Sequence, residues 1–248
     1  MQPLIEFKNT VFSVNPERNI INHFSATINR GDFVVLLGGN GSGKSTLLKL
    51  MNRTYPITSG DIFFKGQSLN TINFKSIRDN IITITQFISD SIFSELTVEE
   101  NAILIESSGA IATQTPFVKK ELLAQLPGYL HSFNPNLSKA LKTRIKNLSG
   151  GEQQILAFAL YVRIQPDLLL LDEHTSALDP KKSDTIMTLT NEFIQKKGLT
   201  CLMTTHTLDD ALKYGNRIMA IRDGALIFDA DQVKKSSLKL ADLLAYCY

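Results

Sequence analysis

The chain has 248 residues, of which 43% are hydrophobic and 20% charged, with a net charge of +2. That is ordinary globular composition, and the near-neutral balance and lack of any long Lys/Arg block argue against a nucleic-acid-binding role. Two cysteines, Cys201 and Cys247, make no metal or disulfide framework and read as free thiols; no N-terminal signal layout and no apolar run of the roughly 18–20 residues a spanning helix needs are present.

In chain order, "LIEFK" (4–8) and "ATINRGDFVVLLG" (26–38) predict strands, the second broken by a turn at Arg30–Asp32. "KSTLLKLMN" (44–52) predicts a helix, and "GDIFFKG" (60–66) a short strand between glycines. From Leu96 to about Lys146 the strand-like runs give way to helical patches, read as an inserted helical lobe. From Asp167 the alternation returns: strand "LLLLD", helix 180–197, strand "TCLMTT", helix 207–214 and strand "RIMAI". This rhythm predicts an α/β fold with a mostly parallel sheet. A last helix is expected around 238–246.

"GGNGSGKST" (38–46) fits the phosphate-loop pattern G-x4-G-K-[ST], after a hydrophobic strand and at the start of a helix. Gly38, Gly41 and Gly43 are expected to adopt positive φ and let the backbone approach phosphates closely. Gly39, Asn40, Ser42 and Thr46 complete the cradle at the helix N-terminus. Lys44 is expected to bridge the β- and γ-phosphates of ATP, with the Ser45 hydroxyl on Mg²⁺.

"LLLLDE" (168–173) is a buried-strand pattern ending in two carboxylates. Asp172 suits the magnesium shell. Glu173 points the other way in an extended chain, free to polarise an attacking water. His206 follows "TCLMTT"; on a parallel strand beside that of Asp172 it would reach the same rim and the γ-phosphate. "NLSGGEQQILAFAL" (147–160) opens a helix with Ser149, Gly150 and Gly151, a second anion grip without a lysine.

Together the loop "GGNGSGKST", Gln86 in "ITQFISD", "LSGGE" (148–152), "LLLLDE", "SALD" (176–179) and His206 resemble the ATP-binding subunit of ABC transporters. The resemblance covers nearly the whole chain. It implies a single ABC ATPase domain over 1–248, of the P-loop NTPase fold. A RecA-like core with N-terminal antiparallel strands occupies 1–95 and 165–248; a helical subdomain carrying the signature occupies 96–164.

It also implies a homodimer arranged head to tail, with each ATP held between the phosphate loop of one copy and Ser149–Gly151 of the other. Gln86 is then a sensor of Mg²⁺ and the attacking water, and Asp179 belongs to the D-loop. The segment "FISDSIFSELTVEEN", with Phe87, Ile88, Ile92 and Phe93, becomes a docking surface for an integral-membrane permease. The family's adenine-stacking aromatic aligns with Val14, and Phe12, two residues away on the same strand face, is the substitute. Glu152 stands where glutamine is commoner, with no role that the sequence supplies.

A closer likeness, including His174 in "DEHTSALD", is to ATPases of a bacterial importer branch labelled for tryptophan or tyrosine uptake, which works with a periplasmic or lipid-anchored substrate-binding protein. The expected place is therefore the cytoplasm, peripheral on the inner face of the membrane through the permease. The alternative is a soluble ABC-type ATPase of DNA or translation processes. No coiled coil, tandem cassette or basic segment supports it.

Overall fold

The computed structural model describes residues 2–15, 17–108 and 116–247. The elements in chain order are β1 (Ile5–Asn15), β2 (Arg18–Ile28), β3 (Phe33–Leu37), α1 (Lys44–Met51), β4 (Ser59–Phe64), β5 (Gln67–Ser68), α2 (Phe74–Asn80), β6 (Ile81–Ile84), α3 (Val98–Ser108), α4 (Pro116–His131), α5 (Pro135–Lys139), α6 (Gly150–Arg163), β7 (Leu168–Asp172), α7 (Pro180–Lys197), β8 (Thr200–Thr205), α8 (Leu208–Lys213), β9 (Arg217–Arg222), β10 (Ala225–Ala230), α9 (Gln232–Ser236) and α10 (Leu240–Cys247). By contact density the chain forms two units. One comprises residues 1–83, 167–173 and 193–248; the other comprises 84–166 and 174–192.

The first unit is built on two sheets. An antiparallel sheet has the order β2-β1-β4-β5, and a six-stranded sheet the order β10-β9-β3-β8-β7-β6. In the latter, β3 pairs with β8 and β9, and β8 with β7, all parallel; β10 returns antiparallel to β9. All five residues of β3 and all six of β8 are buried. A strand covered on both faces needs a continuous apolar run, which is why "FVVLL" and "LLLL" show no alternation.

The core of this unit joins Ile5, Phe7, Ile21 and Phe24 of the antiparallel sheet to Leu47, Leu48 and Met51 of α1 and to Val34, Leu170, Leu202 and Met219 of the parallel strands. Each such side chain contributes about 1.5–3 kcal/mol when fully buried. Because β3, β7 and β8 run parallel and in register, Leu37 beside Thr205 and Asp172 beside Thr204, their carboxyl ends share one rim.

The second unit is centred on α6, in which every residue from Gln154 to Leu160 is buried, so this stretch of the helix is covered on all sides. The Tyr129 hydroxyl of α4 donates to Ala159 O (2.7 Å), and Phe133 meets the edge of Phe158. Residues before Leu96 belong to this unit for visible reasons. The Tyr161 hydroxyl donates to Ser91 O (2.6 Å). The buried Asn101 side chain clasps Phe93 both ways, accepting from its N–H (2.8 Å) and donating to its carbonyl (3.0 Å). The start of α7 joins it through close packing at Gly151, where a Cβ would lie 3.7 Å from Lys182 and 3.9 Å from Ile186. The contact-defined unit thus begins before the border expected at Leu96 and takes in His174–Glu192.

Candidate functional site

The phosphate loop follows β3, and α1 starts at Lys44 with Gly43 as its N-cap. Gly41 (φ 78°) and Gly43 (φ 107°) lie in the left-handed region, as expected. Gly38 does not, which corrects the reading of all three glycines as conformational. Its requirement is space: a Cβ there would lie 2.5 Å from Ser42 Oγ and 2.6 Å from Ile221 O. Ser42 Oγ is buried with no hydrogen-bond partner among the described residues, a donor left for a ligand. The Lys44 side chain, only 6% exposed, donates to Gly38 O (2.8 Å) and Gly39 O (3.2 Å). Asn40 and Ser45 are exposed and Thr46 half-buried beside them.

On the same rim, Asp172 ends β7. Ser45 Oγ donates to Asp172 Oδ1 at 3.0 Å. Glu173 is not in the extended conformation expected of it: its φ is 46°. That bends the chain out of the strand and sets the carboxylate between two cations or potential cations. Oε1 lies 3.6 Å from Lys44 Nζ, and Oε2 lies 3.3 Å from His206 Nδ1. Glu173 is therefore paired where a free base was expected. His206, after β8, is on this rim as expected. His174, the residue after Glu173, is fully buried, with Nε2 lacking a partner among the described residues; burial pulls its imidazole down to about 4, so it is neutral at physiological pH.

In the second unit, Ser149 is the N-cap of α6 and forms a complete capping box with Glu152. Ser149 Oγ donates to Glu152 Oε2 (2.8 Å), Ser149 N–H donates to the same oxygen (3.0 Å), and Glu152 N–H donates to Ser149 Oγ (3.4 Å). The Ser149 backbone and hydroxyl, with Asn136, hold the Glu152 carboxyl below its usual range. The S-x-x-E spacing was the available signal for this role. Ser149 and Gly150 are exposed. Asp179 precedes α7 and pairs with Lys182 (3.0 Å). Gln86 is half-buried just past β6. Beyond it, Phe87 (65%) and Phe93 (63%) are exposed, whereas Ile92 is buried.

The two residues expected to face the base, Phe12 and Val14, lie on an irregular strand. The register of β1 is irregular around Phe12 and Ser13. Phe12 packs on the core and stacks on Tyr55, the rings parallel within 2° and 5.2 Å apart, while Val14 is 67% exposed. One face of the expected substitute ring is thus already covered.

A family profile described as ABC transporter matches residues 21–176, a span that runs from β2 through the phosphate loop, Ser149–Gly151 and the Asp172–Glu173 pair. This chain belongs to the ABC transporter family. A tyrosine transport ATP-binding protein of Clostridioides difficile is 31% identical over 225 residues, covering 91% of this chain and 89% of that one. A phosphonates import ATP-binding protein PhnC of Mesoplasma florum is 30% identical over 256 residues, covering 97% and 99%. The ATP-binding cassette MJ0796, solved as a dimer in a post-hydrolysis state with ADP and Pi, matches with a TM-score of 0.74 and 25% identity over 92% of this chain and 98% of that one. The protein cbiO1 of Clostridium perfringens, described as part of the ABC transporter complex cbiONQ, shares the fold at a TM-score of 0.81 and 23% identity, covering 97% and 93%. As an ATPase of the ABC transporter family, the chain binds ATP.

Proposed function

We propose that this chain is the ATP-hydrolysing subunit of an importer, energising a separate membrane permease that moves a small solute, an amino acid being the leading class. The observation that carries the reading is the convergence of Lys44, Ser45, Asp172, Glu173 and His206 on one rim, linked by contacts of 3.0–3.6 Å. Transport ATP-binding and import ATP-binding names among the relatives support the importer class. No helix of the described residues is long and apolar enough to cross a membrane, which suits a subunit docked to a permease on the cytoplasmic face.

ATP phosphates enter the loop at the N-terminus of α1, where backbone N–H groups and the buried Ser42 hydroxyl await them. Lys44 exchanges the neutral carbonyls of Gly38 and Gly39 for charged phosphate oxygens, which are stronger acceptors. Glu173 then turns from Lys44 to the attacking water, with His206 on the γ-phosphate. The Ser45 hydroxyl and Asp172 carboxylate are two hard oxygens side by side. That fits Mg²⁺, which takes one or two protein oxygens and completes its shell with substrate phosphates and waters. When bound, Mg²⁺ offsets charge on the β- and γ-phosphates.

Ser149, Gly150 and Gly151 serve the nucleotide of a second copy, with Asp179 at that junction, so the working unit is a homodimer. Gln86 senses the cation and water, and Phe87 and Phe93 meet the permease. A substrate-binding protein delivers the solute from outside. Replacing Glu173 by Gln is expected to lower ATP turnover at least about 100-fold while nucleotide binding persists; a near-normal rate would remove Glu173 as the base. Crosslinking from Phe93→Cys to a permease loop tests the docking surface, and a clean negative counts against it.

A further inference from the structure

Thr204 lies in β8 opposite Asp172 in the parallel pairing and is buried. Its hydroxyl is 2.8 Å from Asp172 Oδ1 and 3.4 Å from Leu171 O. A hydroxyl has a single proton, and the nearer, ionised acceptor takes it. The same oxygen accepts the backbone N–H of Glu173 at 3.1 Å. One side chain therefore grips two consecutive acidic residues, one by its carboxylate and the other by its backbone. Glu173 has particular need of such a grip. Its φ of 46° lies where a non-glycine residue is held only if its surroundings over-determine it. Packing does not demand a hydroxyl here, since valine has the same shape and suits a buried strand at least as well.

We propose that Thr204 is a positioning residue of this site, fixing the Asp172 carboxylate as a cation ligand and, through the Glu173 N–H, aiming the Glu173 side chain at Lys44 and His206. The proposal rests on the roles given to Asp172 and Glu173 above, and Thr204 acts through those two residues.

The test uses the full chain with Thr204→Val, Thr204→Ser and Asp172→Asn. Affinity for a fluorescent ATP analogue is measured with and without Mg²⁺, Mn²⁺ binding by EPR in the presence of nucleotide, and ATP turnover alongside. Thr204→Val is expected to weaken Mn²⁺ binding and lower kcat each by about tenfold or more, as loss of an outer-shell partner does, with nucleotide affinity in the absence of metal unchanged within about twofold. Thr204→Ser, which keeps the hydroxyl, is expected to recover both. Wild-type Mn²⁺ affinity and kcat in Thr204→Val would overturn the proposal. So would an equal loss of nucleotide affinity with and without metal, the mark of general disorder. If Thr204→Val does not fold, Thr204→Cys keeps volume with a weaker donor and should fall between wild type and Asp172→Asn in Mn²⁺ affinity; a wild-type value there overturns it too. Asp172→Asn separates the two levels. Mn²⁺ binding that survives in Asp172→Asn ends the cation reading of Asp172 itself, whereas loss there with retention in Thr204→Val ends only the role of Thr204.

Discussion

The Ser149 hydroxyl donates to the Glu152 carboxylate and accepts the Glu152 N–H, so the start of α6 is closed by its own side chains. Glu152 thereby has a role that needs no ligand: it satisfies donors at a helix end that would otherwise be orphaned. Its negative charge also sits well at the positive end of the helix dipole. Replacing Glu152 by Ala is expected to cost about 1 kcal/mol at neutral pH, measured by denaturant unfolding. The folded carboxyl is held below its ordinary 4.5. Its contribution is therefore present above that ordinary value and lost as pH falls through the lower, folded one. The difference between wild type and Glu152→Ala should shrink on acidification, and a constant gap would show that the carboxylate does not cap. Thr97 and Glu100 repeat the device at α3, with Thr97 N–H and Thr97 Oγ1 both donating to Glu100 Oε2 at 2.8 Å.

Asp167 stands immediately before β7 and receives Arg30, from the turn after β2 (2.9 Å), and Lys65, from the turn after β4 (2.5 Å). One carboxylate thus ties the antiparallel sheet to the parallel one. Burial pushes its carboxyl up, but the hydrogen bonds from Lys65 and Arg30 outweigh this and leave it below the ordinary 3.8. Asp167→Asn is expected to lower stability by about 1 kcal/mol, both partners being partly solvated. Because the folded value is depressed, this stabilisation holds above pH 3.8 and fades as pH falls below it, so the mutant should differ least in acid. Acid titration of both proteins by circular dichroism checks the direction. Among elements, β3, β7, β8 and α7 are legible in the sequence because each carries one strong period or run. β2, α2 and β6 are not. "RNIINHFSATI" is buried at irregular positions, and "FKSIRDN" buries only Ile77.

On the proposed reading, the lysine-free start of α6 at Ser149 would meet a phosphate anchored by Lys44 of another copy. Size-exclusion with light scattering tests this. Glu173→Gln with ATP and Mg²⁺ is expected to run as a dimer, and adding Ser149→Arg should return it to a monomer whose nucleotide affinity is little changed. A monomer in the first case, or a dimer in the second, would overturn the shared site. The net charge of +2 neither drives nor forbids such pairing, and in the proposed mechanism the γ-phosphate supplies the difference between open and closed forms.

From the sequence alone come the phosphate loop, the acidic pair after a buried strand, His206 after a second one and the capped start of α6. Each is a matter of residue type at short spacing, which local propensity and backbone chemistry decide. Tertiary structure alone decided which of these groups touch. Ser45 meets Asp172 across 127 residues and Thr204 meets Asp172 across 32, through strand pairings that hydrophobic pattern does not specify. The same holds for the left-handed turn at Glu173 and the ring of Tyr55 lying against Phe12. Both depend on neighbours brought from far along the chain, and no local rule of spacing encodes which neighbour arrives.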